Sequence, residues 1–122
     1  PVYAAPALLA RYGPDTPLHG YPWVCWADGM TDAWMAEHVP TARVVCRANT
    51  AIGMEEAVRA ELGVAHLACF GADGDRDFVR IHPPDPALAL GLWLLVHRDL
   101  RRSARIRVFL DFLAAELAEN GI

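Results

Sequence analysis

The chain has 122 residues, of which 54% are hydrophobic and 21% charged, and its formal net charge is −4. That length holds a single domain at most, and the balance is that of a packed globular chain, not a disordered one. An acidic chain has no overall electrostatic reason to bind nucleic acid or an anionic membrane.

The longest apolar stretch, Leu88 to Val96, is too short to cross a bilayer and is interrupted by Gly91. No charged-then-apolar leader is present, so a cytoplasmic protein with no membrane partner is expected. Pro1 opens directly into a strand-like run, as a piece of a longer chain would.

In chain order, Val2 to Ala5 is strand-like, and Pro6 to Arg11 makes a short helix that Gly13-Pro14 stops. Asp15 to Pro22 is loop. Trp23 to Trp26 is a strand turned by Asp28-Gly29. Thr31 then caps a helix carrying Trp34, Met35, His38 and Val39 on one face, which Pro40 ends. Ala42 to Arg47 is a strand centred on Val44, Val45 and Cys46. Asn49 or Thr50 caps a helix with an inner face of Met54, Ala57, Val58 and Leu62, closed by Gly63. Val64 to Phe70 is a third strand, Gly71 to Asp77 a polar turn, and Phe78 to Ile81 an edge strand.

Pro83-Pro84 and Pro86 form a stiff linker. Leu90 to Val96 reads as another strand, and Ser103 caps a last helix with the stripe Ile106, Phe109, Leu110, Leu113 and Leu117, closed by Asn120-Gly121. Strands alternating with helices of this length imply βαβ units and an α/β fold with a mainly parallel sheet covered on both faces.

The catalytic inventory is thin. Ser103 is the only serine and lacks a G-x-S-x-G elbow. Cys25, Cys46 and Cys69 sit in apolar runs without CxxC spacing, as buried strand residues do; a redox-sensing thiol is the alternative. The five histidines, at 19, 38, 66, 82 and 97, show no metal-ligand spacing, and no lysine is present for Schiff-base or P-loop chemistry. Asp73, Asp75 and Asp77 alternate like the start of a calcium loop, but Gly74 is misplaced and Pro84 stands where a bidentate Glu belongs. No metal, no cofactor and no enzymatic activity are expected. Arg98, Arg101, Arg102, Arg105 and Arg107 could hold phosphate near a helix start, although a solvated face explains them as well.

The ordered set of segments resembles the effector-binding domain of LysR-type transcriptional regulators. His97-Arg98-Asp99-Leu100-Arg101-Arg102 and the run Arg105 to Leu113 look like the H-x-D-L-R-R turn and R-[IV]-R-x-F-x-D-F-[IL] helix that close that domain. Tyr3 to Gly13 is similar to its A-S-P-A-Y-L-A-R-H-G segment, and Asn49 to Cys69 to its N-x(7)-A-V-x-A-G-x-G-I-A-x-L-P pattern. Two positions depart: the family glycine before the helix end is Glu61, and the proline after the third strand is replaced near Cys69-Phe70.

The resemblance implies a two-lobed, periplasmic-binding-protein-like (type 2) fold. Residues 1–85 would be its second, Rossmann-like subdomain, and 86–122 a strand and helix returning to a first subdomain outside this sequence. The passages between subdomains, at Ala5-Pro6 and Pro83 to Pro86, would be hinges. Ligands of open α/β sheets sit at the carboxyl ends of strands. The helix starts Gly29-Met30-Thr31 and Asn49-Thr50-Ala51 favour an anion, with Phe70 as an apolar wall, so a carboxylate-bearing metabolite is the expected effector. Self-association as a dimer or tetramer is expected, with DNA bound only through an N-terminal helix-turn-helix outside this sequence. A solute-binding protein of a transport system, which shares the two-lobed fold, is the alternative.

Overall fold

The computed structural model describes residues 1–13 and 15–119. They fall into two compact units, 1–89 and 90–122. The first unit is α/β. Strand β1 (Val2–Ala4) lies between β4 (Ala65–His66) and β5 (Val79–His82), antiparallel to both. Strand β2 (Pro22–Trp26) runs parallel to β3 (Arg43–Ala48). A parallel bridge between Trp23 and Val64 joins the two sheets, so the strands follow one another as β3-β2-β4-β1-β5. The sheet is therefore mixed: the β2 end is parallel, as βαβ alternation predicts, and the β1 end is antiparallel.

Two cores lie on opposite faces of this sheet, as the two-residue alternation of strand side chains requires. Val2, Ala4, Trp23, Cys25 and Val64 face one way, against Leu8 of α1 (Pro6–Tyr12) and Trp34, Met35 and Val39 of the α2 region (Asp32–His38). Tyr3, Val24 and Ala65 face the other way, against Met54, Ala57 and Val58 of α3 (Ala51–Arg59) and Ala72 of α4 (Cys69–Ala72). Full burial of a side chain such as Met54 or Leu8 contributes about 1.5–3 kcal/mol. Pro6 stands in the first turn of α1, where its missing N–H is not needed, and Gly13 ends that helix at φ 89°.

The end of α3 is tightly specified. Glu61 occupies the left-handed region at φ 60°, where the resembled family carries glycine. Three residues on, the Val64 amide donates to the Pro22 carbonyl at 2.8 Å and the Val24 amide to the Val64 carbonyl at 2.9 Å. Gly63 is what lets these backbones meet: a Cβ there would lie 2.5 Å from the Pro22 carbonyl oxygen.

Some expectations need correction. Val44 and Val45, read as the apolar centre of their strand, are both 41% exposed, because β3 pairs on one side only among the described residues. The third strand is cut short at His66, and residues 69–72 turn helical to bring Ala72 into the core. Leu90 to Val96 forms no strand among the described residues; an apolar run becomes a strand only against a partner ladder, and none is present. In the second unit, α5 (Ala104–Glu119) bears the anticipated stripe: Ile106, Leu110, Leu113 and Leu117 are half-buried, whereas Phe109 is exposed. The proposed helix stop at Asn120-Gly121 lies outside the described residues.

Candidate ligand-binding site

Because β2, β3 and the start of β4 are parallel, their carboxyl ends share one edge of the first unit. The Ala27 amide donates to the Ala48 carbonyl at 2.9 Å, which ties the first two loops together beyond the strands. The three predicted groups of site residues follow these three strands: Gly29, Met30 and Thr31 after β2, Asn49, Thr50 and Ala51 after β3, and Phe70 after β4.

The loop after β2 turns at Gly29, whose φ of 78° suits glycine. Thr31 precedes α2 but does not cap it. Its backbone, at φ −104° and ψ 0°, is helical instead of extended, its side chain makes no capping bond, and the residue is buried. Asp28 accepts from the Met30 amide at 3.0 Å, which closes a turn within the loop before the helix. The loop after β3 behaves as anticipated: Thr50 is extended and its hydroxyl accepts from the Gly53 amide at 3.0 Å. Asn49 and Ala51 are exposed beside it. Phe70 lies on α4 with 71% of its surface open.

Sequence reading missed two groups at this edge. Arg47, near the end of β3, donates to Asp32 at 3.1 Å and to the Trp26 carbonyl at 2.9 Å, so it spans both strand ends and the start of α2. The bonded carboxylate raises the Arg47 pKa further, so the guanidinium stays charged. Ile52, in the first turn of α3, is an exposed apolar side chain beside Thr50 and Ala51. Only the sequence separation hid Arg47: its partner lies fifteen positions away, on another element.

The charge distribution separates the two helix starts. Asp28 and Asp32 already place carboxylates at α2, whereas the first turn of α3 has no acidic residue. An anion is better accommodated at α3, where the peptide dipoles are not yet answered by a carboxylate. Two depressions lie among the described residues, the second bordering this edge through Asp32 and Arg47. One of about 670 Å³ is lined by Leu9, Ala10, Thr16, Leu18, Tyr21 and Ile81, and one of about 180 Å³ runs between Met35, Val39, Val44 and the Asp32–Arg47 pair.

Several of the remaining reactive groups have structural employment. Burial pushes the Cys25 thiol up, away from the thiolate that redox chemistry needs. Tyr3 donates to Asp73 at 2.7 Å, Arg80 pairs with the same carboxylate, and Arg59 bonds Asp75 at 2.8 Å and reaches Asp77 at 3.3 Å. The aspartate-rich turn is thus a set of arginine clasps; the Tyr3 hydroxyl and then Arg80 hold the Asp73 pKa low. Among the described residues no three His, Cys, Asp or Glu side chains are grouped to hold a metal ion. No helix among them is long and apolar enough to cross a membrane.

The sequence matches the family described as LysR substrate binding domain over residues 2–118. The chain therefore belongs to that family, whose domain is a regulatory ligand-binding one with a periplasmic-binding-protein-like fold. No curated protein matches it.

Proposed function

We propose that this chain is the effector-sensing part of a cytoplasmic bacterial LysR-type regulator and not an enzyme. The effector is a small carboxylate-bearing metabolite. Its carboxylate meets the start of α3 at Asn49, Thr50 and Ala51, its body lies toward Gly29, Met30 and Thr31, and Phe70 supplies an apolar wall. The observation that carries this reading is the parallel β2–β3 register, sealed by the Ala27–Ala48 bond, which sets the two loops side by side at strand carboxyl ends. Residues 1–85 act as the second regulatory subdomain and 86–122 return to the first. Effector binding favours one arrangement of the subdomains over another and so re-aims a helix-turn-helix outside this sequence. The exposed apolar side chains of Trp93, Leu95, Phe109 and Phe112 support self-association as a dimer or tetramer.

Thermal unfolding in benzoate, acetate and succinate, each compared with its amide, tests the ligand class. A carboxylate is expected to raise the melting temperature where its amide does not, and Thr50→Ala is expected to weaken that gain. Equal effects of acid and amide, or none from any acid, would contradict the reading.

A further inference from the structure

Trp34, on α2, is surrounded by three imidazoles. His38 stacks on its indole at 4.4 Å and 8°, His66 meets it edge-on at 4.5 Å, and His82 meets it edge-on at 5.5 Å. They come from three elements: α2, β4 and β5. The sheet register explains the convergence, because Val2 on β1 is the partner of both His66 and His82. Trp23 closes a further side of His66 at 5.7 Å.

His66 differs from the other two. It is only 8% exposed, and neither ring nitrogen makes a well-formed hydrogen bond among the described residues, although the Pro1 backbone lies close enough to interact with the ring. A neutral imidazole tolerates this enclosure; an imidazolium would bring a charge and a second unanswered N–H into it. The indole N–H of Trp34 is held separately, by Asp85 at 2.7 Å, whose other oxygen accepts from the Ala87 amide at 2.8 Å. The same tryptophan therefore docks α2 on the sheet, touches His66 and fastens the segment after β5.

We propose that the His66–Trp34 contact is an acid-sensitive latch: protonating His66 forces its imidazole away from Trp34 and frees α2 and the Asp85 segment from the sheet. The charged and titratable groups facing it are His38 on α2, His82 on β5 and Asp85 beyond β5; Trp23 of β2 adds none. A backbone hydrogen bond with Pro1 and the Asp85 carboxylate favour a charged His66, while burial and His82 oppose it. Tyr3, Asp73 and Arg80 belong to the opposite face.

Burial, more than any neighbouring group, depresses the His66 pKa to about 4. An unfolded histidine titrates near 6.5, so between these values the unfolded chain binds a proton that the folded chain refuses. Stability is complete above that window and is lost as pH falls through it. From pH 7 to pH 5 the contribution of His66 alone is expected to raise the unfolding constant about twentyfold. Asp85, held below the ordinary carboxylate range by the Ala87 amide and the Trp34 indole, keeps its charge throughout.

Two measurements on the full chain test the latch. In an NMR titration the His66 ring signals should move only below about pH 5, and the Trp34 indole N–H signal should change with the same midpoint. Denaturant unfolding at pH 7 and pH 5 should show the twentyfold term in the parent and its absence in His66→Phe. The proposal is overturned if His66 titrates near 6.5, if the indole signal ignores its titration, or if His66→Phe keeps the full pH dependence. Where His66→Phe fails to fold, the ring titration of the parent chain still decides.

Discussion

Arg47 bonds Asp32 across the strand–helix boundary at 3.1 Å, and this contact sets the electrostatics of the edge where β2 and β3 end. Both side chains are about half exposed, so the pair is a modest one. Its importance lies in competition. A guanidinium held by Asp32 and the Trp26 carbonyl is only partly available to an incoming carboxylate.

Asp32→Asn is therefore expected to strengthen binding of a carboxylate probe such as benzoate by about two- to fivefold, the range an exposed ion pair commands. Calorimetric titration of the parent and variant measures this. Weaker binding in the variant would mean that Arg47 serves only to anchor α2.

The left-handed backbone at Glu61 makes an opposite kind of forecast, since here the departure from the family pattern is a strain. Glu61→Gly should stabilise the chain by about 0.5–1 kcal/mol, the relief of an unfavourable φ less the lost Arg11 pairing. Glu61→Ala should bring no gain, because it loses the same pairing while keeping the strain. Denaturant midpoints of the three proteins decide the order.

Gly63 allows no such freedom. With the Pro22 carbonyl in the space a Cβ would fill, Gly63→Ala must push β4 from β2 and is expected to cost about 1–3 kcal/mol. Amide exchange should then accelerate at Val24 and Val64, whose bond crosses that junction.

Much of the fold was legible because strand alternation is local. Trp23 to Trp26 read as a strand, and its alternation puts Trp23 and Cys25 in one core and Val24 in the other. Thr50 was equally readable, since a cap and its amide lie three residues apart. What failed depended on partners the sequence does not display. Val44 and Val45 look like core residues, but their strand lies at an open edge. Leu90 to Val96 has strand composition without a strand to pair with among the described residues. Thr31 does not cap α2 because its backbone is already helical, at φ −104° and ψ 0°, a conformation that the residue type does not announce. Likewise, nothing in the spacing of His38, His66 and His82 announced that one tryptophan would gather them.

The most direct test of the effector site is a map of backbone amide shifts during titration of the full chain with benzoate and then succinate. The account predicts that the largest shifts fall in residues 27–31 and 49–53 and around Phe70, and that Thr50→Ala reduces them. Shifts gathered instead around Leu9, Leu18, Tyr21 and Ile81, at the larger depression, would contradict it.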